Sequence, residues 1–372
     1  MQLIESVRFE TFKVLQDVEL RGLQRLNVLV GPSGVGKTSV LEGLELLGNL
    51  VKYSSSDQAY ASNLGPLQVI FGSDGLAPQR LMTRDHKAFE VRAQGTHPLR
   101  LRAIAESPTK SWDATKYEID FGDQIIQIPW QSNTSSPNKE IFQSFSDHKL
   151  QQWRDLALLQ LNPRSIKQAS KATLGSQPMI DHDGAGLPTA LVQMAASSRE
   201  TLESIEHGLR SILGNTGRIR GLPTPVQQGN AQVPGYIFEL EVEPHGYVPA
   251  DLLSEGTLLM LGLLAVIHQS NRPSLLLLDD LDRGLHPSAQ AKLIAGLRIL
   301  IETYDLQILA TSHSPYLLDN FEAEEVQVMT FTSEGHVAAA RLDTHPEWLE
   351  WKGQLQVGEF WTSVGEDWVG AT

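Results

Sequence analysis

Gly31-Pro32-Ser33-Gly34-Val35-Gly36-Lys37-Thr38 is the most informative stretch of this sequence. It follows a short, mostly apolar run, Leu26–Val30, which predicts a buried strand. It opens a helical pattern over residues 37–50 that repeats apolar residues on one face. Glycines allow backbone N–H groups to turn inward and cradle phosphate oxygens, and the N-terminus of a helix adds positive potential. The sequence therefore predicts a phosphate-binding loop between a strand and a helix.

The spacing of this loop matches the Walker A pattern, Gly-x-x-x-x-Gly-Lys-Ser/Thr. The lysine of that pattern reaches the β- and γ-phosphates of a nucleotide, and the hydroxyl of the next residue binds Mg²⁺. We therefore predict that Lys37 is catalytic and that Thr38 is a magnesium ligand. The predicted ATP-binding residues are Gly31, Pro32, Ser33, Gly34, Val35, Gly36, Lys37, Thr38 and Ser39. The strand and helix on either side disfavour the alternative, which is an ordinary glycine turn.

A second apolar run, Leu275–Leu278, ends in two carboxylates, Asp279 and Asp280. In proteins with a Walker A loop, such a strand is the Walker B element. Asp279 is then predicted to lie beside Mg²⁺ as a metal ligand, and Asp280 to face the attacking water as a catalytic residue. Without the Walker A loop, the same pattern could be a strand followed by an acidic helix cap.

A histidine lies in a similar position after the predicted strand Leu306–Ala310. Ser314 is a suitable N-cap and Pro315 a suitable first residue for a helix that follows. His313 would then lie at the carboxyl end of a core strand, where α/β folds bind ligands. We predict that His313 is catalytic and senses the γ-phosphate; the alternative is a structural histidine.

Leu253-Ser254-Glu255-Gly256 precedes a predicted helix over residues 257–268. Ser254 can act as its N-cap, and Glu255 places negative charge in its first turn. Taken alone, the stretch fits two interpretations equally: a capped helix, or a segment that resembles the signature motif of ABC ATPases. The second interpretation implies that Ser254, Glu255 and Gly256 bind the γ-phosphate of a nucleotide held by another subunit.

In this order, the four elements resemble the ABC-type ATPase heads of the RecF, SMC and OLD group, and especially small bacterial AAA-family ATPases. The matching segments are the signature Leu253–Gly256, the Walker B strand Leu275–Asp280, the turn Leu285-His286-Pro287, the switch histidine within Thr311–Pro315, the helix start Asp183–Leu187 and the closing segment Gly358–Trp361. The resemblance implies an α/β P-loop NTPase fold, an ABC-type ATPase head with an antiparallel β lobe and a helical signature lobe. It also implies ATP and Mg²⁺ as cofactors, and a homodimer or higher homo-oligomer that shares a composite ATP site.

The sequence departs from that family at the Walker B strand, where the family usually has Asp-Glu-Pro-Glu. This chain has Asp279-Asp280-Leu281-Asp282, so an aspartate replaces the catalytic glutamate and is one methylene shorter. We expect slow hydrolysis, with ATP acting mainly as a switch. Gln160, near the end of a predicted strand at residues 157–161, is the candidate for the glutamine that contacts the metal.

The pattern along the chain predicts an ATPase core interrupted by two insertions. The predicted segments are 1–58 with Walker A, 59–162 as a β-rich lobe, 163–250 as a helical lobe and connector, 251–340 with the signature, Walker B and switch histidine, and 341–372 as a tail. We predict a β-meander over the first 30 residues, helices over Gly186–Leu213, an exposed loop at Gln131–Lys139, and a connector or mobile loop at Gly214–Gly235.

Composition limits the class of protein. The 372 residues are 41% hydrophobic and include no cysteine, which fits a reducing cytoplasm without a disulfide framework. The longest apolar run, Leu258–Ile267, is too short to span a membrane, so we expect a soluble cytoplasmic protein. The net charge of −14 argues against a surface covered in nucleic-acid-binding charge. Arg210, Arg218 and Arg220 could form a local basic groove, although a solvated face is the simpler interpretation.

Three functions remain open. The first is an ATP-driven dimer that controls a separate effector, such as a nuclease, in antiphage defence, because we see no room for a fused TOPRIM nuclease after residue 320. The second is a RecF-like repair ATPase that clamps DNA, which makes DNA a candidate partner. The third is an ATP-held scaffold with little turnover, suggested by Asp280. A transporter subunit is disfavoured, because more than 200 positions separate Lys37 from Leu253.

Overall fold

The structure, a computed structural model of the chain, describes residues 4–54, 88–96, 98–105, 115–120, 125–129, 153, 156–173, 180–269, 272–283 and 285–370. The predicted loop at Gln131–Lys139 lies outside these residues. The chain divides into two units. The first contains Met1–Leu158, Ser274–Leu277 and Asp305–Thr372, and the second contains Leu159–Pro273 and Leu278–Tyr304.

The elements of the described chain are numbered in chain order. The strands are β1 (Ile4–Glu10), β2 (Val18–Arg21), β3 (Leu26–Val30), β4 (Ala88–Gly95), β5 (Leu99–Ala105), β6 (Thr115–Asp120), β7 (Ile125–Pro129), β8 (Leu156–Leu159), β9 (Ser170–Lys171), β10 (Thr216–Gln228), β11 (Ala231–Val242), β12 (Gly246–Pro249), β13 (Leu275–Leu278), β14 (Gln307–Thr311), β15 (Val326–Phe331) and β16 (Val337–Arg341). The α-helices are α1 (Lys37–Ser54), α2 (Pro163–Lys167), α3 (Leu187–Ser197), α4 (Arg199–Leu213), α5 (Glu255–Ile267), α6 (Pro287–Tyr304), α7 (Pro315–Leu318), α8 (Trp348–Trp351) and α9 (Val357–Val364). None of these helices is long and apolar enough to cross a membrane.

The first unit is organised by a six-stranded sheet with β3 near its centre, in the order β16-β15-β3-β14-β13-β8. β3 pairs in parallel with β14 on one side and β15 on the other. All five residues of β3 are buried, because a strand between parallel neighbours has both faces covered. The buried strand predicted before the glycine loop is confirmed, and so is the helix after it, which extends to Ser54.

A second six-stranded sheet of the first unit is antiparallel, in the order β2-β1-β4-β5-β6-β7. The prediction of a three-stranded N-terminal meander is wrong in one respect, because β1 pairs with β2 whereas β3 joins the other sheet. Burial along β1 largely alternates, as in a strand with one face on the core, but β3 is buried throughout. The inner face of this sheet packs against α1 in one apolar cluster that includes Phe9, Val91 and Leu44.

The second unit contains the helices predicted over Gly186–Leu213. They are two helices, α3 and α4, which separate at Ser198, where the backbone is extended and the side chain accepts a hydrogen bond from the N–H of Thr201. The longest apolar run of the sequence lies in α5, and all residues from Leu258 to Ile267 are buried. That run is therefore the core of the second unit.

The predicted connector at Gly214–Gly235 is wrong, because this stretch forms most of a long hairpin of β10 and β11. The strands pair continuously from Ile219 opposite Leu240 to Gln228 opposite Ala231. The sequence looked irregular because its glycines are packing positions. A Cβ at Gly221 would lie closer than 3.0 Å to a methyl group of Val192, and a Cβ at Gly235 would lie similarly close to a methyl group of Val226. The missing side chains therefore make room for neighbours.

Candidate nucleotide-binding site

The loop between β3 and α1 has three glycines with left-handed backbones. Gly31, Gly34 and Gly36 have φ of 136°, 82° and 104°, values that residues with a side chain rarely adopt. A Cβ at Gly31 would lie closer than 3.0 Å to the carbonyl oxygen of Met329 on β15, whereas a Cβ at Gly34 would meet no atom within 4 Å. Left-handed turns of this kind let loop N–H groups converge on an anion.

Lys37 is the first residue of α1, and only 5% of it is exposed. Its Nζ donates hydrogen bonds to the carbonyl oxygens of Gly31 at 2.8 Å and Pro32 at 3.0 Å. The ammonium group is thus held against the loop itself. Because the first turn of α1 contains no acidic residue, no carboxylate there offsets the positive end of the helix dipole. Ser33 and Thr38 are exposed at the same loop, so the loop presents positive potential and accessible hydroxyl groups.

His313 follows β14, the strand that pairs in parallel with β3. The N–H of Ser312 donates to the carbonyl oxygen of Leu29 at 3.1 Å, which ties the turn to the strand that precedes the glycine loop. The N–H of Ser314 donates to the Ser312 hydroxyl at 3.0 Å, and the Ser314 side chain caps α7. Ser312 is fully buried, but His313 is exposed. The turn therefore presents the imidazole at the sheet edge that also carries the glycine loop.

In the second unit, Ser254 caps α5, as predicted, by accepting a hydrogen bond from the N–H of Thr257 at 3.2 Å. Ser254 and Glu255 are exposed. With Gly256 and Thr257 they line an open cavity of about 600 Å³, which is also lined by His286, directly before α6, and by Ser288 in the first turn of α6. Two helix N-termini thus border one cavity. The dipole of each helix favours negative charge there, and at α5 the carboxylate of Glu255 already supplies negative charge in the first turn.

The two aspartates after β13 differ in environment. Asp279 is 9% exposed, and its N–H donates to the carbonyl oxygen of Leu159 at 2.8 Å. Asp280 has φ of 52°, a left-handed conformation that aspartate and asparagine adopt more readily than other residues with side chains. The left-handed backbone at residue 280 therefore suits an aspartate better than the glutamate expected at this position from the family resemblance.

Gln160 follows β8, and its N–H donates to the carbonyl oxygen of His182 at 2.8 Å. The neighbouring Asp183 accepts a hydrogen bond from the N–H of Ala185 at 3.0 Å. Burial opposes ionisation of Asp183, but hydrogen bonds from Ala185 and the Ser165 hydroxyl keep its pKa below the usual value. The segment that resembles a family helix start is thus an ordered turn beside Gln160.

The structure brings the loop Gly31–Ser39 and His313 together in the first unit, whereas Gln160, Ser254–Gly256 and Asp279–Asp280 belong to the second. In the described part of the chain, no three His, Asp or Glu side chains form a group that could hold a metal.

Sequence reasoning missed two features around the loop. The first is the carbonyl oxygen of Met329, which crowds Gly31, and the second is the link between α7 and the C-terminal helix at Asp319 and Gly358. No local pattern indicates either feature, because each joins segments that are far apart in sequence.

A protein-family model described as "AAA domain, putative AbiEii toxin, Type IV TA system" matches residues 106–319. Two curated relatives, both DNA replication and repair protein RecF, come from Acinetobacter baumannii strains ATCC 17978 and AB307-0294. Each is 24% identical over 332 residues, which cover 79% of this chain and 88% of RecF. Among solved structures, an SMC head bound to the C-winged helix domain of ScpA aligns with a TM-score of 0.53. The two chains are 13% identical, and the alignment covers 92% of this chain and 99% of the SMC head chain. At this identity the likeness concerns the fold alone.

Proposed function

The chain belongs to this AAA-domain family and has the fold of an ABC-type P-loop ATPase of the RecF and SMC group, and from this we propose that it is a dimerising ATPase switch. We propose that two copies close around ATP and Mg²⁺ and control a separate effector, a nuclease, in antiphage defence. The family's description supports the defence role. One observation supports the mechanism: the chain has both a glycine loop between a strand and a helix and, at Ser254–Gly256, an open cavity lined by the second unit alone.

The proposed roles follow from the chemistry of each group. The loop Gly31–Ser39 holds the phosphates, and Lys37 neutralises charge on the β- and γ-phosphates. The exposed hydroxyl of Thr38 binds Mg²⁺ at this loop. The roles of Asp279 and Gln160 as metal ligands stay predictions from the sequence. His313 contacts the γ-phosphate, because it stands at the sheet edge next to the loop. Such groups act mainly by positioning and by stabilising charge.

Dimerisation would place the signature of one copy on the nucleotide held by the other. A two-fold dimer is self-complementary, so it would form two identical composite sites. Ser254, Glu255 and Gly256 stand at an exposed helix N-terminus, which favours binding of a phosphate from outside the chain.

Ser254→Arg is expected to block ATP-driven dimerisation while ATP binding by the monomer persists. The bulky cation would fill the place of the incoming phosphate. Mass photometry with ATP and Mg²⁺, together with binding of a fluorescent ATP analogue, measures the two properties. Ser198→Arg is the matched control, because Ser198 also caps a helix through its side chain and its loss should cost a similar ~1 kcal/mol. Equal dimerisation of the Ser254 variant and wild type would contradict the proposal.

Asp280→Asn is expected to lower ATP turnover by roughly 100-fold or more, because the amide cannot accept a proton from the attacking water. Asparagine tolerates the same left-handed backbone, so the fold should persist and ATP-bound dimers should accumulate. Turnover in excess ATP and the mass distribution test this. Unchanged turnover would show that Asp280 does not accept the proton of the attacking water. Dimers of the wild-type chain without any turnover would favour the ATP-held scaffold.

The second candidate is a DNA-clamping repair ATPase, favoured by the likeness to RecF over most of both chains. Charge pairing weighs against it. Arg8, Arg92 and Arg100 lie side by side across three strands of the antiparallel sheet, but each pairs with a carboxylate. Arg220 similarly pairs with Glu239. DNA binding measured across salt concentrations separates the candidates, because phosphate contacts produce a steep salt dependence.

A further inference from the structure

The turn that carries His313 is followed by a helix that is too short to be stable by itself. α7 has four residues, Pro315–Leu318, and a single helical turn is not stable without packing. On the strand side, the turn is anchored by the bond from Ser312 to Leu29. On the helix side, its position depends on whatever packs against α7.

The C-terminal helix α9 supplies that packing. Gly358, in its first turn, approaches α7 so closely that a Cβ there would lie within 3.0 Å of the carbonyl oxygen of Pro315 and of a carboxylate oxygen of Asp319. Its N–H donates to Asp319 Oδ1 at 2.9 Å. The backbone N–H of Asp319 in turn donates to Pro315 at 3.2 Å. Asp319 thus closes α7 with its backbone and binds α9 with its side chain.

α9 is itself firmly held in the first unit. Gln356 and Glu359 form a capping box at its start. Phe360 is fully buried, with the rings of His345 and Trp348 at centroid distances of 5.2 Å and 5.1 Å. This anchored helix contacts α7 directly, in addition to the core packing of α7 through the buried Leu317 and Leu318.

We propose that Asp319 is a positioning residue for ATP hydrolysis, which holds α7 against α9 and thereby sets the position of the His313 imidazole. The inference rests on the proposed function of His313 as the residue that contacts the γ-phosphate. It makes the C-terminal helix part of the hydrolytic machinery, although that helix follows the last nucleotide motif by more than 40 residues. Partial burial raises the pKa of the Asp319 carboxyl group, and the nearby Glu359 adds to this rise, whereas hydrogen bonds from N–H groups of α9 offset part of it.

Asp319→Ala is expected to reduce kcat by about 10- to 100-fold, the scale of a small misplacement of a reacting group, with little change in the KM for ATP. Asp319→Asn keeps an oxygen acceptor for the Gly358 N–H and should retain most of the activity. Gly358→Ala should reproduce the alanine defect from the other side of the contact, because its methyl group forces α9 away from Pro315.

Asn320→Ala is the matched control. Asn320 Nδ2 donates to the carbonyl oxygens of Tyr316 and Leu317, so its loss loosens α7 without removing the link to α9. The imidazole resonance of His313, assigned by its absence in His313→Ala, gives a readout that does not depend on turnover. The His313 resonance should shift in Asp319→Ala and Gly358→Ala but keep its wild-type chemical shift in Asn320→Ala. The three variants should have comparable unfolding temperatures.

The outcomes separate this inference from the proposed function. If His313→Ala lowers turnover but Asp319→Ala changes neither turnover nor the His313 resonance, the positioning role is wrong and the ATPase proposal stands. If Asn320→Ala is as defective as Asp319→Ala, the effect belongs to the stability of α7, and the inference is overturned. If His313→Ala leaves turnover unchanged, the proposed role of His313 fails, and the positioning role fails with it.

Discussion

Lys37→Ala is expected to abolish measurable ATP turnover while the protein stays folded. The lysine ammonium is almost fully buried and is held by two loop carbonyl oxygens. No other side chain of the loop Gly31–Ser39 carries a positive charge. Loss of one preorganised charge-stabilising group typically lowers kcat by about 100- to 1,000-fold. Phosphate release at saturating ATP and Mg²⁺ measures the change, and EDTA should remove the wild-type activity in the same assay.

Lys352→Ala is the control for this experiment, because it also deletes a lysine of the first unit, in this case one that pairs with Glu324 at 3.8 Å on the surface. Exposed pairs of this kind contribute little to stability, so turnover should be unchanged. Wild-type turnover by Lys37→Ala would contradict the assignment of the glycine loop as the hydrolytic site.

Mixing Lys37→Ala with Ser254→Arg extends the test to the dimer. A dimer formed by either variant alone has no intact composite site. A mixed dimer has one complete site, formed by the loop of the Ser254 variant and the signature of the Lys37 variant. An equal mixture should therefore recover turnover, up to about half of the wild-type value if every dimer is mixed and the sites are independent. No recovery at any mixing ratio would contradict a site shared between copies.

Gly31→Ala is expected to be the most destabilising single-methyl substitution in the loop. The added Cβ would collide with a backbone oxygen of Met329, which cannot move without displacing β15 from its pairing with β3. The backbone φ of 136° adds further strain. Together these effects should cost about 3–5 kcal/mol, which is enough to cause insoluble expression or a large fall in the unfolding midpoint.

Gly34→Ala is the matched control, because its φ of 82° is also left-handed but no atom lies within 4 Å of the added methyl. It should cost only about 1–2 kcal/mol, the energy of a left-handed alanine. Urea unfolding followed by circular dichroism compares the two variants. Equal unfolding midpoints would show that backbone conformation, and not the contact with Met329, explains why glycine is needed at residue 31.

Short-range patterns predicted the elements around the candidate site well. The run Leu26–Val30 indicated a buried strand, and Ser254 and Ser314 indicated helix starts that the structure confirms. These succeed because burial periodicity and capping involve residues within a few positions of one another. The hairpin at Gly214–Gly235 was missed for the complementary reason. Its glycines and prolines are typical of loops, and only pairing with β11 and packing against α3 make this stretch a strand.

Which sheet a strand joins was also beyond local reasoning. β1, β2 and β3 follow one another closely, yet β3 pairs with β14 and β15, whose paired residues come 282 and 298 positions later in the chain. The mostly apolar character of β3 is the local signal for this, and it indicates burial without identifying a pairing partner.

The amino-acid sequence alone indicated the groups of the candidate site: a glycine loop with its lysine, two acidic residues after an apolar strand, a serine-capped helix and a histidine after a core strand. Each of these depends on covalent neighbours, whose geometry is short-range. The contact of Gly31 with Met329, the left-handed backbone of Asp280, and the link from Asp319 to Gly358 arose only in the folded chain. They depend on how closely distant segments pack, and that is a property of the whole core, because close-packed interiors transmit the position of one segment to the next.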